Sequence, residues 1–79
     1  MTKLESKQSR AARSLLGWSQ QKLADSAGVA LATIQFFETD KREPIANNLT
    51  AIRRALEDAG VDFLAAKGGK GVGVRLREA

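Results

Sequence analysis

The chain has 79 residues, a net charge of +4, and neither cysteine nor histidine, so disulfides, thiol nucleophiles and the usual zinc ligands are excluded. A chain this short supports one small domain, residues 1–79, near the lower size limit for folding alone. Its basic balance permits nucleic-acid binding. No apolar run approaches the roughly 20 residues of a membrane span, and the polar stretch Met1 to Arg13 is no signal peptide, which together with the absence of cysteine points to the cytoplasm.

The first residues, Met1 to Ser6, read as a fraying end. Thr2 with Glu5 offers a capping box, and Ser6 offers a later N-cap. A first helix then runs to about Leu16, with Ala12, Leu15 and Leu16 buried and Lys7, Arg10 and Ser14 outside. Gly17 stops it. Trp18 follows as an anchor between the first two helices or, alternatively, as a base-stacking side chain.

The stretch from Ser19 to Glu38 reads as two short helices joined by a tight turn. Ser19 is the N-cap of the first. Leu23, Ala24 and Ala27 make its inward face, and Gly28 takes the left-handed conformation that ends it. Val29 and Ile34 turn back into the core. Two helices meeting across such a turn make a helix-turn-helix, the unit that sets its second helix in a DNA major groove. That second helix spans about Leu31 to Thr39, with Ile34 and Phe37 inward and Leu31, Ala32, Gln35 and Phe36 pointing elsewhere.

The ordered set Gln20, Leu23, Ala24, Gly28, Val29, Thr33, Ile34, Phe37 and Glu38, with Arg10, Ala12, Arg13, Leu16, Gly17 and Trp18 upstream, resembles the Cro and phage-repressor (XRE) type of helix-turn-helix protein. The resemblance covers Arg10 to Gly60. It implies a mainly α fold, a lambda-repressor-like bundle of about four helices, and a bacterial, phage or mobile-element source. It also implies a partly buried structural salt bridge between Arg13 and Glu38. Ser19 and Gln20 would hold phosphate at a helix N-terminus. Ala30, Leu31, Ala32, Thr33, Gln35 and Phe36 would lie in or beside the groove, and Lys41 and Arg42 would flank the site on the DNA backbone. The chain departs from the pattern at the reading positions, which usually carry Arg, Gln, Asn or Ser. This helix has no Lys or Arg. Leu31 and Ala32 offer only apolar contacts, such as those with thymine methyls. Phe36 reads DNA, docks another protein or folds back onto the domain.

Beyond the loop TDKREP, Asn47 reads as the N-cap of a fourth helix, whose Leu49, Ile52 and Leu56 form a buried face. Arg53–Glu57 and Arg54–Asp58 are i,i+4 pairs on its wet face. Gly60 ends the helical part, residues 1–60. The tail, residues 61–79, changes period. Val61, Phe63 and Ala65 alternate with polar or outward residues, as do Val72, Val74 and Leu76, around the turn KGGKG. This is a β-hairpin. The glycine run does not match a Walker motif, since no GK[ST] ends it. A lone hairpin is marginal in water. Its apolar face packs on its own helices, or its edge pairs with the same strand of a second copy, the preferred reading because a two-fold dimer meets two half-sites.

The function these residues imply is sequence-specific transcriptional regulation by a homodimeric repressor or activator on an inverted-repeat DNA operator. The alternative is a protein-interaction module, antitoxin-like or anti-activator-like, docking a partner at Leu31, Ala32 and Phe36. Nothing groups Ser, Lys or Glu into a catalytic site, and no cofactor or metal is implied.

Overall fold

The computed structural model describes residues 3–77. Four helices, α1 (Ser6–Leu16), α2 (Gln20–Ala27), α3 (Leu31–Glu38) and α4 (Ala46–Asp58), precede an antiparallel hairpin of β1 (Val61–Leu64) and β2 (Gly73–Leu76). One core runs through all of them, built on Leu4, Ala12, Leu23, Ala24, Ile34, Phe37, Ile52, Leu56 and Val61.

The helices start and stop where local chemistry requires. Gly17 and Gly28 end α1 and α2 with φ of 68° and 69°, a conformation that costs a residue with a Cβ about 1 kcal/mol or more. Ser19 caps α2 by accepting the Lys22 amide at 3.0 Å. Thr39, expected inside α3, is instead its C-cap, and its hydroxyl donates to the Gln35 carbonyl at 2.7 Å.

The N-terminal segment is more ordered than its composition suggests. Leu4, placed in the fraying end, is 2% exposed and belongs to the core. The cap of α1 is Glu5 rather than Ser6, in a capping box with Gln8. The alternative built on Thr2 lies outside the described residues. Leu15 was expected in the buried face of α1 but is 45% exposed. Gln8, Ser9 and Ala12 fill the inward stripe instead, and Leu16 packs on its margin. Gln8 and Ser9 enter that stripe because their side chains find hydrogen-bond partners elsewhere in the fold.

The cap of α4 is Ile45, not Asn47, and Ile45 has no side-chain oxygen to offer. Among the expected pairs on α4, Arg53 meets Glu57 at 3.2 Å, while no Arg54–Asp58 ion pair forms among the described residues. Leu49 is half-buried at the core edge.

The hairpin pairs Val61 with Leu76 and Leu64 with Gly73; Ala65 and Val72 fall just outside the strands. Lys67 and Lys70 close the turn, with positive φ at both Gly68 and Gly69, the pattern of a type I′ turn. The apolar face packs on the chain's own helices: Val61 is fully buried, and Phe63 and Val74 lie against the core. Gln8 joins hairpin to helix. Its amide nitrogen donates to the carbonyls of Leu64 (3.3 Å) and Gly73 (3.1 Å), while its oxygen accepts the Glu5 amide at 3.0 Å.

Candidate nucleic-acid interface

The site is built from behind. Glu38, the last residue of α3, is 3% exposed, and its carboxylate is surrounded by donors. Arg13 reaches it with Nη2 at 2.6 Å and Nε at 3.0 and 2.9 Å. Ser9 donates its hydroxyl at 2.6 Å, and Gln20 donates from Nε2 at 3.2 Å. Arg10 donates to the Glu38 backbone carbonyl, and Arg13 to that of Trp18 at 3.1 Å. Glu38 and Arg13 together thereby tie α1, the α1–α2 junction, α2 and α3 to one another. Burial pushes the Glu38 carboxyl up, but hydrogen bonds from Arg13, Ser9 and Gln20, with the Arg13 charge, outweigh it and hold the group below the usual carboxylate range.

Trp18 takes the packing place: it is half-buried against the core, with the Lys22 ammonium 5.5 Å from its ring centroid. Arg10 was placed outside; its side chain is exposed, yet its guanidinium tip is anchored to α3.

The expected reading residues divide. Ala32, Gln35 and Phe36 are exposed on the outer side of α3, and Ala30 is exposed just before it as its N-cap. Thr33 is half-buried. Leu31, expected to face a groove, is half-buried and packs against the core, because its position brings it onto the Ile34 side of the helix. Ser19 is exposed at the α2 N-terminus, and Gln20 is half-buried with one amide hydrogen given to Glu38. Lys41 and Arg42 are exposed in the loop after α3, where their backbone amides both donate to the Phe36 carbonyl, at 2.9 and 3.2 Å.

Ala32, Thr33, Phe36 and Arg42 share a groove of about 290 Å³ with Glu43, Pro44, Ile45 and Asn48. Glu43, Pro44, Ile45 and Asn48 are not among the expected site residues. Ile45 is the clearest omission, since it stands 69% exposed beside Phe36. An apolar residue just before a helix start was the available signal.

A family model, HTH_3, described as helix-turn-helix, matches residues 10–64, which run from within α1 to the end of β1. The chain belongs to the Cro/XRE helix-turn-helix family. The match takes in the whole Glu38 network from Arg10 onward, except Ser9. The Cro/XRE assignment makes the chain a DNA-binding regulator with a lambda-repressor-like fold. A search of curated proteins gave no match. Among the described residues, no helix of this Cro/XRE protein is long and apolar enough to cross a membrane, and no acidic cluster suits a metal ion.

Proposed function

We propose that this protein is a sequence-specific transcriptional regulator that lays α3 in the major groove of its operator. The observation that carries this is the asymmetry of α3. Its inner side is locked by Ile34, Phe37 and Glu38, while Ala32, Gln35 and Phe36 stand exposed on the other side, next to Lys41 and Arg42. A rigidly held helix with an unoccupied outer face is what groove insertion requires. In this reading Gln35 makes a polar base contact. Ala30, Ala32 and Thr33 line the groove, and Leu31 contributes only its exposed margin. Ser19, Gln20 and Lys41 hold phosphates. The protein acts in the cytoplasm, without a cofactor and without catalysis.

The regulator works as a homodimer on an inverted repeat. Supporting this, the sheet has only the strands β1 and β2 among the described residues, so each keeps an outer edge. Arg75 and Arg77, whose charges would repel across a paired edge, are both engaged by Asp62, at 3.6 and 3.1 Å. Selection from random duplexes at moderate salt, with sequencing, tests both claims. Inverted half-sites about one helical turn apart support the dimer. A single asymmetric half-site removes it.

A second reading is favoured by Ile45. Together with Phe36 and Ala32 it puts apolar surface beside α3, suited to a protein partner rather than a base edge. It predicts an unenriched pool and binding that disappears equally for all duplexes as salt rises.

A further inference from the structure

The chain reverses direction at the end of α3, and the reversal sets a guanidinium on the outer side of that helix. Asp40 adopts a left-handed φ of 59°. Beyond it, the amides of Lys41 and Arg42 fold back onto the Phe36 carbonyl. Arg42 Cζ then rests 5.4 Å from the centroid of the Phe36 ring. Ala32, one turn before Phe36, is small and exposed, so nothing bulky stands in front of the pair on that side of α3.

Arg42 forms no ion pair among the described residues; its neighbour Glu43 is taken by Lys3 at 2.6 Å. A guanidinium lying over an aromatic ring uses its face for the contact and keeps its N–H groups, which lie in its plane, for other acceptors. A phosphate also accepts such a fork, but the exposed Lys41 beside it already offers the backbone a charge, whereas Arg42 is set against the outward ring of α3. A planar fork held in place on the reading side of a helix suits a planar pair of acceptors. In the major groove that pair is O6 and N7 of guanine.

We propose that Phe36 and Arg42 act as one reading unit, with the ring as platform and the guanidinium as a fork for guanine, making Arg42 a specificity-determining residue rather than a backbone contact. This rests on the regulator reading above and adds one element to it: each half-site contains a G·C pair read from beyond the helix, by the loop. The unit also gives α3 the guanidinium its own residues lack.

The test is duplex selection with the wild-type chain, Arg42→Ala and Phe36→Leu, each first shown by thermal melting to be folded. The wild type is expected to select a half-site with a fixed guanine. In Arg42→Ala, preference at that one position falls by roughly 5- to 150-fold while the other positions persist. Phe36→Leu relaxes the same guanine, although Arg42 is intact, because the fork loses its platform. If Arg42→Ala weakens all sequences alike and leaves the selected site unchanged, Arg42 is a phosphate contact and the proposal is overturned. If Phe36→Leu leaves the guanine fixed, the ring is no platform and the unit is overturned. A wild-type pool without enrichment overturns the regulator reading itself, and this inference with it.

Discussion

Gln20 donates an amide hydrogen to Glu38 across 3.2 Å, so the first residue of α2 is held by the last residue of α3. The carboxylate that accepts it is the one that Arg13 neutralises from α1. The angle between the two helices of the motif is therefore set at both ends: by the Gly28 turn at one and by a shared carboxylate at the other.

Breaking this hub is expected to be costly. Arg13→Ala leaves the Glu38 carboxylate buried without its countercharge, and loss of one partner of a buried pair typically costs about 3–5 kcal/mol. Arg13 retains some exposure and Ser9 and Gln20 still donate, which places the expected loss near the lower end of that range. Urea unfolding followed by circular dichroism checks it; a loss below about 1 kcal/mol would mean the pair behaves as a solvated one.

The same carboxylate makes stability depend on acid. Its folded-state pKa lies below the unfolded value, so the unfolded chain takes up the proton first as pH falls. The contribution of Glu38 is fully present above the unfolded pKa, around pH 4 to 5, and disappears as pH drops through the lower, folded value. Melting temperature measured between pH 7 and pH 2 should therefore fall more steeply for the wild type than for Glu38→Gln. Parallel curves for the two proteins would contradict this.

Leu4 should behave as a core residue despite its place near the start of the chain. Leu4→Ala is expected to destabilise by about 2–5 kcal/mol, the range for emptying a buried leucine site. The exposed Leu15, changed to Ala, should cost well under 1 kcal/mol. Equal effects at both positions would mean that the first turn of the chain is not packed as described.

DNA binding should respond differently to changes at the two ends of the motif. Gln20→Ala should lower affinity for all duplexes alike, since a phosphate contact carries no sequence information. Phe36→Ala should change which duplexes are preferred. Lys41→Ala should reduce the slope of log affinity against log salt by about 1. Fluorescence anisotropy across a salt series reads all three; unchanged affinity in the first two variants would remove α3 from the interface.

Much of this architecture is legible along the chain because its signals are local. Gly17, Ser19 and Gly28 act on their immediate neighbours, and the KGGKG run bends the backbone between two alternating stretches whatever surrounds it. Less legible are the residues whose environment comes from far away. Gln8 and Ser9 look like surface residues until Leu64, Gly73 and Glu38, between 29 and 65 positions distant, provide their partners. Leu15, seven residues on from Gln8 and on nearly the same side of α1, is exposed all the same. The candidate site was visible as a set of positions on α3, but its second wall was not. Ile45 and Asn48 join it only because the loop after Asp40 folds back, and that reversal depends on a left-handed aspartate that composition does not announce.

Gln8 uses every polar atom of its side chain to join the beginning of the chain to its end. Cutting the polypeptide after Gly60 would remove both acceptors of its amide hydrogens and uncover the seat of Val61. The tail is therefore no removable appendage, whatever it pairs with. A truncated helical fragment should be poorly folded on its own, and the intact chain should melt in a single transition that takes the hairpin and the start of the first helix together.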